Sequence, residues 1–308
     1  MDLVAGCGTA LITPFRGDGS IDEHALYSLA QWQVESGINW LLACGTTAET
    51  PTLTDEEWPR VVRIIAEAAA GRVPVWAGCT HNSTREAAAR ARTAASIPGV
   101  TAILSAGPYY NKPTQEGLFE HFKAVARATS LPTVLYNVPG RTGVNIEPAT
   151  VLRLAEASSN IRAVKESSGN FPQIVSLLTQ APSGFRVYAG DDNMALGVIA
   201  AGGAGLVSVA SNEIPAELTQ MVQTALANEW STARRINRKY YRLMEANFWE
   251  TNPGPVKAVL AMMGKCGEYY RLPMVPVSDA TRARLERIAG ELGLLIHAPR
   301  PEGDFRMF

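Results

Sequence analysis

Lys165 ends a short apolar run, Ile161-Arg-Ala-Val-Lys165, and the chain then turns through Ser167, Ser168 and Gly169. Alternating Ile161 and Ala163 ahead of a glycine-bearing turn read as a buried strand with an amine at its C-terminal tip. An amine there loses hydration, which favours its uncharged form and makes it a nucleophile toward a carbonyl carbon. The plainer reading is a strand-end lysine reaching for water. Four other segments follow apolar runs of strand length in the same way: Gly45-Thr-Thr-Ala-Glu-Thr50, Gly107-Pro-Tyr-Tyr-Asn-Lys112, Tyr136-Asn-Val-Pro-Gly-Arg-Thr142 and Gly190-Asp-Asp192.

Taken singly, these have ordinary explanations. Thr46 and Thr47 could cap a helix. Tyr109 and Tyr110 could be core or interface aromatics, Pro139-Gly140 a turn, and Arg141 a surface charge. Asp191-Asp192 reads as a helix N-terminal cap rather than a metal site, because no further acidic ligand is near in sequence. Taken together they amount to an amine, several phenols, two hydroxyls and a guanidinium, with no metal ligands and no phosphate loop. An amine nucleophile needs a proton shuttle and an anion clamp, and this set holds both. The chemistry such a set suits is Schiff-base formation with a small keto acid, then making or breaking of a carbon–carbon bond.

The elements that must position these groups are legible too. Eight runs, at residues 8–13, 39–44, 73–78, 101–105, 133–137, 161–165, 186–189 and 205–209, have the length and pattern of buried strands. Helical patterns separate them. Ser20 with Glu23, Thr54 with Glu57 and Ser83 with Glu86 fit capping boxes, and Pro148 and Pro215 suit first helical turns. Eight β-then-α units predict a (β/α)8 TIM barrel, whose post-strand loops form one reaction face. An open doubly wound sheet would be expected to carry a glycine-rich phosphate turn after its first strand, and Leu11-Ile-Thr-Pro-Phe15 is not one. The barrel is assigned to residues 1–228. A C-terminal helical extension over 229–308 follows, with helices near 233–247, 255–265 and 279–294. The first presents Ile236, Tyr240, Leu243 and Asn247 on one face. Residues 298–308 are expected to form a frayed tail.

Composition narrows the class. A chain of 308 residues, 46% hydrophobic and 19% charged, supports one large core. Its net charge of −1 argues against nucleic acid or an anionic membrane as partner. Cys7, Cys44, Cys79 and Cys266 show no C-x-x-C spacing, which fits free thiols in a reducing cytoplasm better than disulfides or zinc. His24, His81, His121 and His297 make no close pair, so no histidine metal site is expected. The uncharged stretch 194–211 is interrupted by Gly202-Gly203 and Gly205, and reads as a helix end, a turn and a strand rather than a membrane span. The N-terminus lacks the basic start of a signal peptide.

Six motifs together resemble the dihydrodipicolinate synthase / N-acetylneuraminate lyase family: the segments at 45–50, 136–142 and 190–192, with Pro108-Tyr-Tyr-Asn-Lys-Pro113, Val164-Lys-Glu166 and Arg271-Leu-Pro-Met274. They run in order over nearly the whole chain. The resemblance implies condensation of pyruvate with L-aspartate 4-semialdehyde in lysine and diaminopimelate synthesis. Lyases of sialic acid and aldolases of 2-keto-3-deoxy sugar acids are the alternative, and these generally lack the arginine found here as Arg141. By the same resemblance, Lys165 forms an imine with pyruvate, and Tyr136 moves protons. Thr46 links Tyr136 to Tyr110, which comes from a neighbouring subunit. Thr47 holds the pyruvate carboxylate, Arg141 binds that of the semialdehyde, and Gly190 and Val207 line the pocket. The cationic imine is the electron sink, so no metal or cofactor is implied. A homotetramer built as a dimer of dimers is. Asn82, Glu86 and Tyr109 match an allosteric lysine pocket. Two departures stand out: Ala48 replaces a common glycine, strained only if its φ is positive, and Asp55 and Trp58 occupy a region where lysine-inhibited relatives often carry histidine.

Overall fold

A computed structural model describes residues 3–295; the tail expected at 298–308 and His297 lie outside them. Eight parallel strands close into a barrel: β1 (Gly6–Ala10), β2 (Trp40–Ala43), β3 (Val75–Gly78), β4 (Val100–Ala106), β5 (Thr133–Asn137), β6 (Ile161–Glu166), β7 (Arg186–Ala189) and β8 (Gly205–Ser208). β8 pairs back onto β1. Parallel neighbours need crossovers, and helices Glu23–Glu35, Glu57–Ala69, Thr84–Ser96, Gln115–Arg127, Pro148–Ala157, Phe171–Gln180 and Ala195–Ala200 supply them, with Pro215–Leu226 following the last strand.

Strand alternation sorts side chains into two layers. Leu41, Ala43, Val75 and Val164 pack outward on the helices. Trp40, Leu42, Trp76, Leu104, Val134, Tyr136, Ala163, Tyr188 and Val207 fill the barrel. Trp40 stacks on Trp76 at 4.8 Å, and Tyr188 meets both edge-on at 5.3 and 5.6 Å. A Cβ on Gly8 would lie 2.0 Å from the Trp40 indole, so the first strand has no side chain where that ring sits. The Tyr188 hydroxyl donates to the Val4 carbonyl at 2.7 Å. Each ring withdraws about 150–250 Å² from water, an upper bound of about 4–6 kcal/mol of transfer free energy. This apolar plug supports the polar groups at the opposite, C-terminal ends of the strands.

Several boundaries differ from expectation. The first strand is 6–10 rather than 8–13: its ladder to β8 begins at Gly6 and Gly205. Leu11, Ile12 and Thr13 are buried but lie beyond the ladder, and burial alone does not reveal strand pairing. Thr54 and Glu57 do exchange capping-box hydrogen bonds, at 3.0 and 3.2 Å. Ser20 does not cap; Asp22 accepts from the Ala25 N–H instead, and the Ser20 hydroxyl donates to Asp18. Ser83 stands at the N-cap, but its side chain makes no cap bond, and Glu86 turns to Arg85. The stretch 194–211 is helix, turn and β8 as expected; no helix among the described residues is long and apolar enough to cross a membrane.

Three helices, Trp230–Ala246, Gly254–Met262 and Asp279–Glu291, follow the barrel. Ile236, Tyr240, Leu243 and Asn247 are all buried. Cys7, Cys44 and Cys79 are free, buried thiols, and burial pushes each well above its ordinary pKa, so they pack as small apolar groups.

Candidate active site

The pairing of β5 with β6 sets Tyr136 beside Lys165 and Asn137 beside Glu166. Alternation then aims the first pair into the barrel and the second away from it. Lys165 is 5% exposed and Tyr136 6%, and the Lys165 Nζ lies 4.2 Å from the centroid of the Tyr136 ring. Behind them, Asn137 Nδ2 donates to Glu166 Oε1 at 2.5 Å, and the Ser168 hydroxyl donates to Oε2 at 2.6 Å. Burial raises the Glu166 carboxyl, opposed by those hydrogen bonds. The two strand ends that carry amine and phenol are thereby tied together on their outer side.

β7 supplies the neighbouring wall. A Cβ on Gly190 would lie 2.9 Å from Lys165 Cε and 1.9 Å from Ser167 Oγ, so only glycine leaves the amine its place. Burial raises the Asp191 carboxyl, while the charges of Lys165 and Arg141 pull it down. Asp192 does not cap the helix that follows it. Its carboxylate accepts from the Ser208 hydroxyl at 2.5 Å and from the Val209 and Ala210 N–H groups at 3.1 and 3.2 Å, capping the turn after β8 instead. That turn comes within reach only through barrel closure. Val207, wholly buried, belongs to the interior layer with Tyr136.

A cavity of about 280 Å³ opens at this face, lined among others by Thr46, Thr80, His81, Arg90, Tyr109 and Arg141. Lys165 and Tyr136 are not on its wall, but Val138, two residues beyond Tyr136, is. Thr47 is buried, and its hydroxyl accepts from Asn252 Nδ2 at 2.9 Å rather than capping a helix. Arg141 Nη2 donates to the Asn252 carbonyl at 3.3 Å. Ala48 lies in the 3-10 turn Thr46–Ala48, and the left-handed residue is the next one, Glu49, so alanine here is unstrained.

Tyr110 is 86% exposed with φ 73°, and it does not reach Thr46 within this chain. The three residues matched to a lysine pocket are split. Glu86 lines a second cavity of about 380 Å³ with Asp55, Trp58, His81 and Arg90. Tyr109 lines the first, and the Asn82 carbonyl accepts from Asn111 Nδ2. His81 and Arg90 border both cavities. Sequence reasoning passed over them, although Thr80 and His81 follow β3 as the other mouth residues follow their strands. No cluster of three or more potential metal ligands occurs among the described residues.

A buried strand-end amine against a phenol, in a barrel whose mouth also holds a cavity lined by a guanidinium, suits a lyase that works through a Schiff base. The profile of the Dihydrodipicolinate synthetase family matches residues 3–292, and the chain belongs to that family. It is 72% identical over 302 residues, 98% of this chain and 100% of the relative, to the 4-hydroxy-tetrahydrodipicolinate synthase of Acidobacterium capsulatum. The dihydrodipicolinate synthase of Aquifex aeolicus superposes with a TM-score of 0.93 at 39% identity, covering 95% of this chain and 100% of that one. A Cyanidioschyzon merolae structure solved with lysine bound gives 0.92 at 37% identity, over 96% and 100%. The activity is that of a 4-hydroxy-tetrahydrodipicolinate synthase, an enzyme of lysine and diaminopimelate biosynthesis, and the sialic-acid and sugar-acid alternatives are not favoured.

Proposed function

We propose that Lys165 attacks the ketone of pyruvate, loses water to form an imine, and gives up a methyl proton to become an enamine. The enamine carbon attacks the aldehyde of L-aspartate 4-semialdehyde, whose oxygen takes a proton. The semialdehyde's own amine then displaces Lys165 and closes the ring, releasing 4-hydroxy-tetrahydrodipicolinate and the free lysine. Tyr136 carries protons in these steps. Thr46 connects it to Tyr110 of a second copy. Thr47 and adjacent amides hold the pyruvate carboxylate, Arg141 clamps that of the semialdehyde, and Gly190 and Val207 line the pocket.

The observation that carries this reading is the sheltered Lys165 amine 4.2 Å from the Tyr136 ring centroid. Borohydride reduction in the presence of pyruvate tests it. The expected result is a stable mass adduct on Lys165, absent from Lys165→Ala; an adduct elsewhere, or none, overturns the assignment.

A homotetramer of paired dimers is in keeping with the exposure of Tyr110 (86%), Leu272 (80%) and Val275 (57%), side chains that another copy would cover. The free thiols of Cys7, Cys44 and Cys79, all buried, and of the half-buried Cys266 are in keeping with a cytoplasmic setting. The cavity bearing Asp55, His81 and Glu86 has the carboxylates to take the amine of free L-lysine. An initial rate unchanged by millimolar-scale L-lysine counts against that inhibition.

A further inference from the structure

The turn that carries Thr46 and Thr47 is gripped from behind by the C-terminal extension. Glu49 stands between the 3-10 turns Thr46–Ala48 and Thr50–Thr52 with φ 53° and ψ 33°, a left-handed conformation that disfavours any residue with a Cβ. Its side chain is 1% exposed and pairs at 2.5 Å with Lys257, which is 0% exposed. Lys257 Nζ also donates to the Tyr269 carbonyl at 2.8 Å, and Glu49 Oε2 accepts from the Arg271 N–H at 3.3 Å. The rings of Phe15 and Tyr270 face the ammonium at 4.4 and 5.0 Å. Five residues before Lys257, Asn252 supplies the bonds to Thr47 and Arg141. One short C-terminal segment therefore touches the hydroxyl-bearing turn twice and the arginine once.

Stability alone does not account for this pair. Burying two charges forfeits their hydration, and an apolar pair of similar volume often holds a fold as well or better. What a charged pair adds is direction: its hydrogen bonds fix where the backbone of the turn lies.

We propose that Glu49 and Lys257 are positioning residues for the condensation, setting the placement of Thr46 in the relay and of Thr47, and through Thr47 the affinity for pyruvate. This rests on the roles given above to the two threonines. The double variant Glu49→Gln/Lys257→Met removes both charges while keeping volume. Its melting temperature is expected to stay near that of the wild type, while the KM for pyruvate rises about tenfold, since small misplacements of a binding group are costly. The KM for the semialdehyde, read out at Arg141, stays within about twofold, and saturating pyruvate with borohydride still labels Lys165. An unchanged pyruvate KM in a folded double variant overturns the proposal. Should the double variant not fold, Glu49→Asp, which keeps both charges but shortens the arm that holds the turn, decides by the same ratio of the two KM values. Failure of the wild type to form a pyruvate adduct would instead strike the catalytic reading on which the proposal rests, an outcome separate from an unchanged pyruvate KM in the variant.

Discussion

The turn after β2 and the loop after β4 both carry hydroxyls at the barrel mouth, yet they are built in opposite ways. In the first, Thr47, Ala48, Glu49 and Thr50 are all buried, and Asn252, Lys257 and Arg271 reach in to hold them. In the second, Tyr110 and Lys112 adopt φ values of 73° and 43°, and Tyr110 projects outward, 86% exposed. Residues with a Cβ keep such conformations where surroundings over-determine them. The chain provides those surroundings for Glu49. For Tyr110 they are expected from a second copy. The turn that bears Thr46 is thus held within the chain, whereas the support of Tyr110 in the proposed relay is expected from assembly.

Arg141 spans the clamped side, through Asn252, and the open cavity, and its loss is the severest test. Arg141→Ala is expected to lower kcat/KM for the semialdehyde about 10³-fold, the scale of a lost charge clamp, while the pyruvate imine still traps with borohydride. Equal loss of trapping and condensation would make its contact with Asn252 purely structural. Next comes Gly190→Ala, whose new methyl would press on Lys165 Cε and Ser167. Displacing the amine should cost about 10²-fold in turnover, measured by steady-state kinetics; near-normal turnover would show slack that the packing does not suggest.

On the open side, Tyr110→Phe should slow turnover roughly tenfold, less than a direct acid–base group is worth because it acts through Thr46. Sedimentation should show the oligomer intact. Wild-type specific activity should also fall when dilution separates the copies, and activity independent of concentration in a dissociated sample would remove Tyr110 from the relay.

The smallest effect lies at the foot of the clamped turn. The Arg271 guanidinium, bound to Glu57 at 2.6 Å through two nitrogens, holds the Glu57 carboxyl below its ordinary 4.5. A lowered folded-state pKa contributes stability above the unfolded value and loses it as pH falls through the folded one. Glu57→Gln keeps the cap and removes the charge, so it should melt about 2–4 °C lower at pH 7, equivalent to about 1 kcal/mol. That gap should close as the pH falls through the lowered folded-state value of Glu57. A gap that persists in acid would assign the loss to packing instead.

Local chemistry in the sequence sufficed for the eight strands, the barrel they form, the lysine at a strand tip and the polar character of the mouth loops, because periodicity and turn residues act over a few positions. The same locality explains the failures. Where β1 begins depends on its ladder with β8, some 200 residues away, and Asp192 caps a turn that only barrel closure brings to it. Glu49 stood in a motif with no visible partner; Lys257, 208 residues further on, read as one more residue of a helix. Asn252 was likewise silent until the fold set it against Thr47. A hydrogen bond between distant segments leaves no spacing to read, since its partners are chosen by where the packed backbone puts them. The proposed nucleophile was therefore legible in the chain as a strand-end lysine, whereas the clamp behind the hydroxyl-bearing turn was decided by tertiary structure alone.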